Sequence, residues 1–92
     1  MTQESEQRIV WDKSTEEKFH KLLEQIPALI RGIAETRVNN KAQALVKNAS
    51  RFEITEKDMI DAFFAETPPG FLTAMKSGMQ ELGINYEQYG YK

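Results

Sequence analysis

The stretch Ile26-Pro27-Ala28-Leu29-Ile30-Arg31-Gly32 decides how this chain folds. Pro27 disfavours helical backbone at Ile26 and is well suited to the first turn of a helix. One helix must therefore stop here and another begin, with almost no loop between them. Working outward from this corner, apolar residues recur three and four apart on both sides. Phe19, Leu22, Leu23 and Ile26 form one face before it. Ile30, Ile33, Ala34, Val38, Ala42, Leu45, Val46 and Ala49 form a stripe after it. Such spacing predicts two amphipathic helices, at about 15–25 and 27–50.

The first predicted helix has a start signal in Ser14-Thr15-Glu16-Glu17, which reads as a capping box. After the second, Arg51-Phe52-Glu53-Ile54 reads as a short extended link. Thr55 then caps a third helix to about residue 66, with Asp58 three positions on and Ile54 and Met59 placed as a hydrophobic staple. Thr67-Pro68-Pro69-Gly70 stops that helix and starts a fourth over about 68–82. Gly83 followed by Ile84 reads as its left-handed C-cap. The expectation is an all-α fold, a compact bundle of three core helices plus a C-terminal helix. Residues 1–10 are expected to be a disordered arm, and residues 67–92 to pack on the same domain.

Ninety-two residues make one small domain that buries roughly 60–65% of its unfolded surface. The absence of cysteine excludes disulfides, thiolate metal sites and a cysteine nucleophile from this chain. No apolar run approaches the roughly 18–20 residues of a membrane span, and residues 1–13 lack the apolar core of a signal peptide. These features set a cytoplasmic expectation without membrane contact. The net charge of −2 is unevenly spread: residues 28–52 hold five bases and one acid, between acidic flanks. That basic strip is either neutralised within the fold or offered to an anionic partner.

No phosphate-cradling glycine loop, zinc spacing, calcium loop or Ser/His/Asp set is present, which argues against an independent enzyme. His20, the single histidine, has no partner at ligand spacing. The candidate binding residues are Trp11, Arg31, Arg37, Lys41, Phe63 and Phe64. Trp11 is either a plug on the core or a partner contact. Arg31 falls in the middle of the apolar stripe, and Arg37 and Lys41 fall close to Ile30 on the helical wheel. An arginine so placed snorkels, pairs with Glu24, Asp58 or Asp61, or meets an anionic ligand. Phe63 and Phe64 together exceed one stripe, so at least one reaches the fourth helix or another chain. Tyr86, Tyr89 and Tyr91 make the tail a packing or docking segment.

Trp11, Leu22/Leu23, Ile26-Pro27, Arg31-Gly32, Arg37-Val38, Ala42, Ile54-Thr55-Glu56 and Ala62 together resemble a known family. It is the small helical domain at the C-terminus of the B subunit of light-independent protochlorophyllide reductase, which also occurs free-standing. The resemblance covers about residues 11–66. This chain has Ala28 and Leu29 where the family usually has aromatics, and residues 67–92 have no counterpart in it. The resemblance implies an oxidoreductase-related module of chlorophyll biosynthesis and photosynthesis, not itself a reductase and with no cofactor bound by this chain alone. It implies a protein partner or a tetrapyrrole-like ligand. The chain itself is expected to be a monomer or weak homodimer. The alternative is a histone-fold-like or other helical DNA-associated protein, since Ile54-Thr55-x-x-Asp58 also resembles the end of a histone fold. The acidic net charge and the missing first loop count against nucleic acid.

Overall fold

The structure, a computed structural model, describes residues 8–92. It is an all-α bundle with four helices, clipped at one end by a two-stranded parallel pair. In chain order these are β1 (Val10–Trp11), α1 (Lys13–Glu24), α2 (Ala28–Asn48), β2 (Glu53–Ile54), α3 (Glu56–Glu66) and α4 (Leu72–Glu81). A 3-10 turn at Pro69–Phe71 leads into α4, and another at Tyr86–Tyr89 follows it.

Most of the expected arm, residues 1–7, lies outside the described residues. Its last part is ordered by pairing: Val10 and Trp11 lie opposite Glu53 and Ile54. Val10 N–H donates to Phe52 O and Asp12 N–H to Ile54 O, each at 2.9 Å. Helix α1 starts earlier than the capping-box reading places it. Asp12, not Ser14, is the cap, because its carboxylate accepts from both the amide (3.0 Å) and the hydroxyl (2.8 Å) of Thr15. Those bonds hold the Asp12 carboxyl below its ordinary value, the Thr15 hydroxyl bond contributing most. The strand fixes where the chain enters, and Asp12 is the residue it delivers to that position.

The cap of α3 forms as read, with Asp58 as its reciprocal partner. Thr55 donates to Asp58 Oδ2 from its amide (2.8 Å) and its hydroxyl (2.9 Å). Arg51 adds a bidentate pair to the same carboxylate, at 3.1 and 2.6 Å. Burial pushes the Asp58 carboxyl up, and the Arg51 and Thr55 donors outweigh this and leave it below its ordinary value. Ile54 and Met59 are both fully buried beside this cap, as the staple reading requires.

Two helices end in the same hydrogen-bond pattern with different residues. After α4, Gly83 takes φ 74°, its amide donates to Gln80 O, and Ile84 N–H reaches back to Met79 O at 2.9 Å. Ile84 is buried against the core, which completes the motif. After α2 the same bonds run from Ser50 to Lys47 O and from Arg51 to Val46 O. There the left-handed position is Ser50, at φ 57°, a conformation that favours glycine. The core itself joins Phe19, Leu22 and Leu23 of α1 to Val38, Ala42 and Val46 of α2. Met59, Ile60, Ala62 and Phe63 of α3 fill its centre, and Met79, Ile84 and Tyr86 close it.

The fourth helix starts later than expected. Pro69-Gly70-Phe71 forms the 3-10 turn, with Pro68 just before it, and Thr67 ends α3 instead of capping α4. The Thr67 hydroxyl donates to Met75 Sδ at 3.1 Å, tying the start of α4 to the end of α3. Helix α4 then crosses the end of α1 at Gly78, where a Cβ would stand 2.5 Å from Gln25 Oε1. A side chain there would displace the Gln25 amide.

Candidate functional site

The corner at Pro27 positions an apolar cleft. Pro27 (φ −52°, ψ 137°) is the residue before α2, and Arg31 locks the turn. The Arg31 guanidinium donates to Ile26 O from Nε (3.2 Å) and Nη2 (2.9 Å), and from Nη2 to Glu24 O (3.2 Å). It thus satisfies carbonyls at the end of α1 that have no partner within the helix. None of the carboxylates proposed for it takes part. Main-chain oxygens from the preceding helix end are closer, because the tight corner brings them under the first turn of α2.

Above this corner the first half of α2, the end of α3 and the start of α4 line a cleft of about 440 Å³, within the usual range for ligand pockets. Leu22, Val38 and Phe63 form its floor, Ile30 and Ile33 one wall, and Phe71 and Met75 the other. Arg37 and Glu66 also line it, and neither has an ion-pair partner among the described residues. The apolar surface continues beyond the cleft. Leu29 is 92% exposed, Ile33 59%, Phe71 56% and Ile30 38%. Four large apolar side chains so exposed in one region are unusual for a surface with nothing on it.

The six candidate residues are not gathered in one place. Arg37 and Phe63 meet at the cleft. Trp11 lies elsewhere, half-buried, stacked on Phe19 at 4.5 Å and donating from Nε1 to Asn39 Oδ1 at 3.0 Å. Its position is that of a plug which joins β1 to α1 and α2. Arg31 is engaged at the corner, and Lys41 is half-buried on α2 without lining the cleft. Phe64 faces the C-terminal tail: it stacks on Tyr91 at 3.9 Å, tilts against Tyr86 at 5.6 Å, and has Lys76 Nζ 6.0 Å from its ring centre.

The tail is thus a packing segment. Tyr91 adds a hydroxyl hydrogen bond to Asp61 Oδ1 at 2.5 Å. Burial, with that bond to Asp61, pushes the Tyr91 phenol up to about 12. The methionines divide the same way: Met59 and Met79 fill the core, whereas Met75 forms a cleft wall.

The cleft residues that sequence reasoning missed are Ile30, Ile33, Glu66, Phe71 and Met75. A signal for part of the set was present. Leu29, Ile30 and Ile33 exceed what one narrow stripe requires, and the surplus is exposed. No group of three or more His, Cys, Asp or Glu side chains among the described residues could hold a metal ion. His20 is exposed at the flank of Phe19. Among the described residues no helix is long and apolar enough to cross a membrane. Comparisons with protein-family models, curated proteins and solved structures returned no match for the chain.

Proposed function

We propose that this chain is a non-catalytic binding module, related to the small helical domain of the light-independent protochlorophyllide reductase B subunit. In this reading its cleft takes a flat, apolar, anionic ligand of the tetrapyrrole kind. The observation that carries the reading is the cleft itself: apolar floor and walls, with the Arg37 guanidinium at its edge. A macrocycle would lie against Ile30, Ile33, Phe63 and Phe71, and a peripheral carboxylate would pair with Arg37. The sequence resemblance over residues 11–66 supports the same class of ligand. The residues that carry it include Ile26-Pro27 and Arg31, which build the corner beneath the cleft.

Titration with protoporphyrin IX tests this. Saturable binding, read as a shift of the porphyrin absorption band, is expected, and Arg37→Ala should weaken it by about tenfold, the order of one lost charged hydrogen bond. Lys41→Ala, outside the cleft, should leave it unchanged. No saturable shift, or binding indifferent to Arg37, defeats the reading. Tight duplex DNA binding that falls steeply with salt would instead favour the histone-like alternative. Two of the five cations in the basic strip are already engaged, Arg31 by carbonyls and Arg51 by Asp58, which weighs against that alternative.

A further inference from the structure

We infer that the cleft face, when no ligand fills it, docks a second copy of this chain, as a twofold-symmetric dimer. The face carries both a projection and a recess. Leu29, 92% exposed, stands one helical turn before Ile33 on the same side of α2, and Ile33 forms part of the cleft wall. A surface that holds a protruding aliphatic side chain beside an apolar recess can complement itself. In an isologous contact the same patch serves both partners, and each Leu29 enters the other's cleft.

The charges on this face point to a copy of the chain over a membrane surface. Arg37 and Glu66 both line the cleft, opposite in sign and without ion-pair partners among the described residues. A twofold axis between them sets each Arg37 against the partner copy's Glu66, forming two equivalent ion pairs. An anionic membrane surface would satisfy Arg37 and repel Glu66. A net charge of −2 adds little repulsion between copies. This inference goes beyond the ligand reading and does not depend on it, since the experiment below contains no ligand.

Sedimentation equilibrium of the full chain across concentrations tests it. The expected mass rises from 10.6 kDa toward twice that value, with a dissociation constant between about 1 µM and 1 mM. Leu29→Lys should raise that constant at least about tenfold, since it places a charge in the apolar contact. Circular dichroism should show an unchanged fold, because Leu29 is exposed in the single chain. Arg37→Glu should weaken association similarly, and Arg37→Glu with Glu66→Arg should restore it to within about threefold, as expected for a paired charge swap. A monomer up to about 1 mM overturns the inference. So does association that survives Leu29→Lys, or a double swap that fails to restore it.

Discussion

The two halves of α2 differ in what covers them, although the same periodicity runs through both. In the C-terminal half, Val38, Ala42 and Val46 are 0–3% exposed, pressed against α3 and the core. In the N-terminal half, Leu29, Ile30 and Ile33 face the cleft or solvent. Helical spacing reports which residues share a side, and burial depends on whether another element lies against that side. Here α3 covers one half, and α4, started late by its 3-10 turn, leaves the other open.

The largest effect should come from the covered half. Ile60, fully buried on α3 where it joins this core, should lose about 3 kcal/mol of stability as Ile60→Ala. Denaturant unfolding measures it, and a loss below about 1 kcal/mol would mean this half is as loosely packed as the other. Next, Asp58→Ala should lose about 2 kcal/mol at neutral pH, through the α3 cap and the partners left without an acceptor.

The pH dependence gives that prediction its sign. Asp58 sits below its ordinary value in the folded chain, so the unfolded chain binds the proton more readily. Its stabilisation is full above the unfolded carboxylate value, about 3.9, and is lost as pH falls through the lower folded value. Unfolding curves between about pH 2 and 6 should therefore converge for wild type and Asp58→Ala at the acid end. Curves that stay parallel would remove the carboxylate from the account.

A smaller effect, of opposite sign, belongs to the end of the covered half. Ser50→Gly should gain about 0.5–1 kcal/mol, since glycine takes the left-handed position without strain. An unchanged melting temperature would show that Ser50 is not strained there. The smallest effect belongs to the open half: Leu29→Ala in dilute solution should change stability by less than about 0.5 kcal/mol. A loss above about 1 kcal/mol would break the comparison, because it would mean that Leu29 is covered within the single chain.

Much of the helical plan was legible because its signals are local. Thr55 with Asp58, and Gly83 with Ile84, each decide a helix end within a few residues, and both act as their sequence predicts. What was not legible depends on residues far apart in the chain. Asp12 displaces Ser14 as a cap only because β1 pairs with β2, and nothing near Asp12 announces that pairing. The carbonyl partners of Arg31 follow from the angle of the corner, which spacing alone leaves open. The cleft needs the placement of α4, and that rests on Gly78 passing Gln25 and on Thr67 holding Met75. Of the candidate residues, Arg37 and Phe63 reach the cleft, because a helical wheel locates a face without saying what lies opposite.

The parallel pairing of β1 with β2 has a consequence for the order in which the chain assembles. It closes a loop of more than forty residues, from Val10 to Glu53, with only two residues on each side. Closing that loop carries an entropic penalty that so few contacts repay only once α1 and α2 already hold the ends close. The clip is therefore expected to form last and open first, while α2 and α3 stay packed. In hydrogen exchange the Val10 and Asp12 amides should be the fastest of the hydrogen-bonded set, and the amides of Ile60 and Phe63 among the slowest. Exchange in that order would make the N-terminal strand a latch over the Trp11–Phe19 stack, separable from the bundle beneath it.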